Sequence, residues 1–291
     1  MAVTTFIPEV WSARILDKLE SNLVYVNLMN RDYEGEITAY GDTVHIASYG
    51  DVTIKDYARG TDIAAPEDLS TTDQTLTIDQ MKYYNFAVDD VDKAQMRTDL
   101  LDRYAARAGY GLSKVADGYA SGLLAAGTLV TTQSATDKFG NDTKPIELTQ
   151  PSQAYDMLVD LQILLDDMDI PRNGRWVVVP NAFKGLMEKD DRFVKTGSAQ
   201  AENRLARGFA GSAAGFDIFT STLVPNTSGS KYKIIASTNR AGTFAEQLLE
   251  TEAYRPEKRF ADAIKGLHVY GAKVVRPDEV AVATVNFTAA A

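Results

Sequence analysis

The sequence contains no cysteine. Disulfides, thiol nucleophiles and thiolate zinc sites are therefore excluded, whatever the compartment. Histidine is nearly as scarce. Only His45 and His268 occur, each inside a strand-like run (DTVHIAS and GLHVYGAKVV), and both read as ordinary sheet residues. No run of 18 apolar residues is present to form a membrane-spanning helix. The opening MAVTTFIPEVW lacks a basic stretch followed by an apolar one, so no secretory signal is expected. Basic charge is the minority sign. Forty acidic residues against 30 basic give a formal net charge of −10, which argues against a broad basic face for duplex DNA.

Signatures of catalysis are equally thin. The phosphate loop G-x-x-x-x-G-K-[ST], H-E-x-x-H and G-x-S-x-G are all missing, and GFAGSAAG (208–215) lacks G-x-G-x-x-G spacing. Ser228 to Lys231 forms an S-x-x-K and Lys195 to Gly197 a K-T-G, which together echo a serine acyl-enzyme of the penicillin-recognising type. Here the order is reversed and no S-D-N lies between, so turn residues are the better reading. Asp166, Asp167 and Asp169 crowd the end of a helical pattern, where the macrodipole disfavours negative charge. They read either as a solvated acidic cluster or as oxygen ligands for a divalent cation.

What is present is a soluble, globular composition, 45% hydrophobic and 24% charged over 291 residues, enough for one or two cores. The dominant pattern is a helix from Thr98 to Ala126. Its apolar residues Leu101, Tyr104, Ala105, Ala108, Leu112, Val115, Tyr119 and Leu123 recur at steps of three and four, the period of one buried face. Gly109, Gly111, Gly118 and Gly122 each cost ~1 kcal/mol against alanine inside a helix, which predicts a second backbone lying close by. Before this helix, PEVWSARILDKLE reads as a short amphipathic helix and LVYVNLMNRDYEGEI and DTVHIAS as strands. The Asp-, Thr- and Gly-rich span from Tyr49 to Leu76 then predicts a long hairpin with a polar tip that needs a partner surface.

Beyond the long helix, a polar connection leads to a second amphipathic helix through Leu158, Leu161 and Leu165. The runs RWVVV, GFDIFTSTLVP, KYKIIAST, GLHVYGAKVV and EVAVATVNF are strand-like, with Asn181 expected to cap a short helix, AFKGLMEK. Arg255, Lys258, Arg259 and Arg276 form a basic group among Glu252, Glu257, Asp278 and Glu279, a mixture suited to ion pairing between copies.

Taken in order, PEVWSARIL, NRDYEGEI and GDTVHI near the start, AGSAAGFDIFTSTLVP in the middle and GLHVYGAKVVRPDEVAVATV at the end resemble the major capsid (coat) proteins of tailed phages with the Hong Kong 97-type fold. The resemblance spans nearly the whole chain. It implies an α+β fold with an N-terminal arm (1–43), an extended β-hairpin loop with flanking strands (44–88), a peripheral domain with a long spine helix and connection (89–150), an α/β axial domain (151–250) and strands returning mainly to the peripheral domain (251–291). It further implies a non-enzymatic subunit, without cofactor or metal, that self-assembles into the hexamers and pentamers of an icosahedral shell around double-stranded DNA. The implied site is the virion, after assembly in the bacterial host cytoplasm.

Implied partners are further copies of the chain, a portal protein, packaged DNA held without sequence specificity, and a separate scaffolding protein, since no long charged helical segment precedes the arm. Lys55 is the only lysine in the loop and no acceptor for a cross-link is identified. Trp11, Lys55, Arg59, Arg255 and Arg259 are the expected interface residues. An encapsulin-like compartment shell, built on the same fold, is the alternative.

Overall fold

The computed structural model describes residues 23–33, 43–49, 52–57, 59–60, 62, 65, 71–89, 99–127, 136–190, 209–258 and 260–287. The expected helix over 8–20 with Trp11, the Lys195–Gly197 turn and Arg259 lie outside the described residues.

The fold turns on β5 (Arg175–Val179), which is buried along its full length. Successive strand residues face opposite sides. Trp176 and Val178 therefore enter one core, and Val177 and Val179 another. A strand sandwiched in this way reads as a continuous apolar run, as RWVVV does. It sits inside a seven-stranded mixed sheet, with β4 (Ile146–Leu148), β12 (Val280–Phe287), β9 (Lys231–Thr238), β5, β7 (Phe216–Thr220) and β6 (Phe209–Ala213) in that spatial order, and with the short β8 (Asn226–Thr227) paired to β9. Pairing is parallel for β5 with β7 and β12 with β4, and antiparallel elsewhere.

One face of this sheet is covered by α4 (Pro151–Asp167) and α5 (Asn181–Glu188). Leu158, Leu161 and Leu165 recur at helical spacing and are fully buried against Ile234, Ala281 and Ala283. A capping box between Gln150 and Gln153 starts α4. The α5 helix begins with Pro180 as its cap, and the expected Asn181 is already its first residue.

The other face packs on α2 (Asp99–Ala126), a 28-residue helix ~42 Å long. This is the predicted long helix, with its buried face rotated. Gly109, Leu112, Ser113, Ala116, Asp117, Ala120, Ser121 and Leu124 are buried, whereas Tyr104 and Val115 are exposed and Ala108, Tyr119 and Leu123 half-buried. Of the expected face, only Leu112 is fully buried among the described side chains. Periodicity follows large apolar residues, but the space here takes small ones: Ala116 and Ala120 are completely covered. The expected close neighbour is also absent at Gly111, Gly118 and Gly122, where an added Cβ would meet nothing within 4 Å.

A second sheet, β10 (Gly242–Tyr254), β11 (Ala261–Val274) and β3 (Gln80–Asp89), closes the same core from the other side of α2. Phe244, Ile264 and Tyr270 face α2, while Ala245 and Val269 face outward onto Val44, Ile46, Leu76 and Ile78. Those four come from the hairpin of β1 (Thr43–Tyr49) and β2 (Thr71–Thr77) and from the residues leading into β3. β1 is the strand expected from DTVHIAS and pairs with β2, whereas Val52–Ile54, whose Thr and Val content favours a strand of the long hairpin, extends neither strand. LVYVNL has a strand-like sequence, but Tyr25–Leu28 forms a single helical turn, α1, packed on α2. A short α3 (Thr136–Phe139) packs against β12. β10 runs continuously past residue 250, and β12 inserts beside β9 in the larger sheet, so the tail serves both sheets.

Gly271 lets the hairpin cross the smaller sheet: an added Cβ would lie 2.4 Å from the Thr77 carbonyl oxygen and 2.9 Å from Ile78 Cδ1. Gly271→Val is expected to lower stability by about 2–3 kcal/mol, read as a lower urea midpoint. Gly122→Ala, whose Cβ enters open space, should instead raise it by about 0.5–1 kcal/mol.

Candidate inter-subunit surfaces

The paired strands β1 and β2 turn described apolar side chains onto their own subunit. Val44, Ile46 and Leu76 point inward, and on the opposite side His45 Nδ1 lies 2.6 Å from Asp73 Oδ2 across the strands. Beyond Tyr49 the chain leaves this support. Val52 is 59%, Ile54 91% and Tyr57 71% exposed. Lys55 and Arg59 lie on the same stretch, both exposed. Three large apolar side chains thus project from this stretch with no cover among the described residues.

The three-stranded sheet offers a second surface. Its edge strand β3 exposes Met81 and Tyr83, the latter at 79%. Next to Tyr83 is a shallow groove of about 290 Å³ lined by Asn85, Glu252, Lys265, Gly266 and Leu267. Lys265 Nζ pairs with Glu252 at 2.8 Å and lies 5.2 Å from the Tyr254 ring centroid. Arg255 follows β10 at this end and is exposed, near the 81% exposed Phe260.

The expected basic group is divided by the fold. Arg276 lies past the far end of β11, roughly 40 Å of extended strand from Arg255. There it joins Arg240 on the buried Glu279 carboxylate, at 3.1 and 3.2 Å, with the Thr238 hydroxyl donating to the other oxygen. Lys55 and Arg59 share one loop, and Arg255 belongs to a different surface.

A third set of contacts holds the segment Leu23–Tyr33 on the body. Asp117, buried in the middle of α2, accepts three backbone N–H groups through Oδ1: Val24 at 3.1 Å, Tyr25 at 2.7 Å and Val26 at 3.2 Å. Burial pushes its carboxyl up to about 6, against the opposing pull of those three amides. Further along, Asn30 exchanges backbone hydrogen bonds with Gly242 and Phe244, and Arg31 pairs at 2.8 Å with Glu246. Glu246 also receives the buried His268 at 3.0 Å. Sequence reading missed Asp117 and Glu246, because an acidic residue in a helix or strand ordinarily signals a solvent face.

In the acidic cluster Asp166 takes Arg175 at 2.7 Å and Arg172 at 2.9 Å, and no group of three or more side chains placed to hold a metal ion occurs among the described residues. Ser228 sits exposed in a β8–β9 turn at φ 59°, and Lys231 Nζ donates to the Asp142 carbonyl. The S-x-x-K lysine is thus committed elsewhere. No helix among the described residues is long and apolar enough to cross a membrane.

A family model described as phage capsid protein matches residues 73–285. Among solved structures, one titled Mycobacterium phage Che8 is 28% identical, covering 91% of each chain at a TM-score of 0.67. The capsid of the cyanophage P-SCSP1u is 15% identical, covering 87% of this chain and 84% of that one at 0.62. A virus-like particle from Pyrococcus furiosus is 11% identical, covering 94% and 98% at 0.51. The last two show a shared fold. None of the curated proteins matches the chain by sequence.

Hydrogen bonds from Arg175, then Arg172, hold the Asp166 carboxyl below its ordinary 3.8. A lowered carboxyl contributes stability above its unfolded value and loses it as pH falls through the folded one. Asp166→Asn should therefore be destabilising at pH 7 by urea unfolding, and the difference should fade below about pH 4. A difference undiminished at pH 2 would contradict this.

Proposed function

The chain belongs to the phage capsid protein family, and from that premise we propose how its surfaces build a shell. It is a major capsid subunit of the Hong Kong 97-type fold, a structural protein of the virion whose copies associate with one another. We read the assembly as an icosahedral shell of hexamers and pentamers enclosing double-stranded DNA, formed in the host cytoplasm with a separate scaffolding protein and completed by a portal.

One observation carries the reading: Val52, Ile54 and Tyr57 project from a hairpin that, among the described residues, is covered only at its base. Three large apolar residues left in water are unfavourable by roughly 1.5–3 kcal/mol each relative to burial. A neighbouring copy can supply that burial. In this reading Lys55 and Arg59 flank the contact, Arg255 serves the surface at the end of β10, and Trp11 and Arg259 join from outside the described residues. The hairpin is the extended loop, α2 the spine, β3, β10 and β11 the peripheral sheet, and the seven-stranded sheet the axial domain.

The encapsulin-like alternative is not favoured, since the 28% identity lies with a phage chain and the compartment reading has only the fold. We also propose that the chain has no enzymatic activity. Incubation with a β-lactam should leave the mass at Ser228 unchanged.

Electron microscopy of the purified protein, with and without a candidate scaffolding protein, tests the assembly. Closed shells or rings of five and six are expected. The paired substitution Ile54→Asp and Tyr57→Asp should abolish them while leaving thermal unfolding of the unassembled chain within about 0.5 kcal/mol of the parent. Normal shells from that variant would remove the loop from the proposal.

A further inference from the structure

Asp117 is an unusual place to put a charge. The residue is 1% exposed, and no cation pairs with it among the described residues. Its Oδ1 accepts all three amides of Val24, Tyr25 and Val26, while the buried Oδ2 has no partner among the described residues. The same holds for the buried Tyr25 hydroxyl. When the carboxyl is ionised, half of its charge is thus left on an oxygen that no donor reaches, an arrangement that low-dielectric surroundings penalise. When it is neutral, Oδ1 remains an acceptor for the amides and Oδ2 no longer carries uncompensated charge.

The segment seated by this carboxyl has two differently made halves. Asn30 and Arg31 are fixed by main-chain bonds to β10 and by Glu246. The polar hold on Val24–Val26 comes from Asp117, alongside burial of Leu23, Tyr25, Val26 and Met29. We propose that Asp117 makes the seat of Leu23–Met29 proton-dependent, tight with a neutral carboxyl and looser with an ionised one. The device stands on the fold alone and does not rely on the shell reading.

The sign follows from linkage. Seated, the carboxyl has a value of about 6. Unseated, it meets water and returns toward its ordinary 3.8. The state that holds the proton more tightly is favoured by acid. Seating therefore strengthens as pH falls through 6. Other titratable groups on the elements packed against α2 have their own surroundings. Tyr25 of α1 faces Asp117, and burial together with that carboxylate keeps its phenol protonated. On β11, His268 is held by Glu246 and Tyr270 lies against Tyr119. On β9, Tyr232 packs on Phe287, and Lys231 and Lys233 both donate to Asp142.

Hydrogen–deuterium exchange of the full chain at pH 5.5 and 7.5, both above its pI of 4.8, provides the test. After correction for intrinsic rates, the Val24–Val26 amides should be protected about fourfold more at pH 5.5. Amides at 30–33 serve as an internal reference and should not change. Asp117→Asn should abolish the pH dependence and hold protection at pH 7.5 at or above the parent's. His268→Gln should leave the dependence in place. Equal protection at both pH values in the unmodified chain, weaker protection at pH 5.5, or a dependence that survives Asp117→Asn or vanishes in His268→Gln would overturn the proposal.

Discussion

A single wedge carries this structure: the narrow face of α2 that fills the space between two sheets. Leu112, Ala116, Ala120 and Leu124 form its apolar line, and Ser113, Asp117 and Ser121 run beside it. Ser121 donates both to Gly118 within the helix and to the Leu223 carbonyl across the interface. Small side chains at this seam let Trp176 and Phe244, from opposite sheets, share one core. A bulkier face would push the sheets apart and separate them into two domains with little in common. The helix holds them together because it presents so little.

Using one face so economically leaves the others open. Tyr110 is 55% and Val115 46% exposed, and the glycines at 111, 118 and 122 lie in open space. A helix this long is not needed to cover its own sheets. The hairpin shows the same imbalance, with a well-packed base and an apolar extremity beyond it. In an isolated globule both features are liabilities, since exposed apolar area invites association. In the proposed shell, where a subunit touches several copies of itself, they would be the means of association. Each contact can remain small and separable while the closed assembly gains from many of them.

How much of this could be read beforehand depended on residue size and on where the partners came from. β5 and β9 were legible because RWVVV and KYKIIAST are buried on one or both faces by close neighbours, which leaves a clear apolar signature. The length of α2 was legible for the same reason. Its buried face was not, because periodicity weighs Tyr104 and Val115 above Ala116 and Ser121, and only the spacing of the two sheets reverses that ranking. Gly242–Glu250, the first part of β10, carries Thr, Glu and Gln among its apolar residues and showed no strand pattern. The pairing of β10 with β11 decides it instead. Tyr25–Leu28 went wrong in the opposite direction: YVNL is a good strand sequence, overruled by the α2 surface beneath it. Among the expected interface residues, Lys55 and Arg59 were legible only as charges on an exposed loop. Their apolar companions Ile54 and Tyr57 gave the stronger signal once their exposure was known.

The buried polar groups follow a logic of address rather than of energy. Replacing a buried charge network with apolar residues often leaves stability unchanged or improves it, so Asp117 and Glu246 are poor explanations of why the core holds together. They do explain where one short segment goes. A four-residue helical turn has too few internal hydrogen bonds to persist alone, and burial of Tyr25 and Val26 is non-directional. Three amides converging on one carboxylate oxygen, and a guanidinium on another carboxylate seven residues later, permit one register and no other. A segment placed by direction rather than by bulk can also be let go without disturbing the sheets on either side.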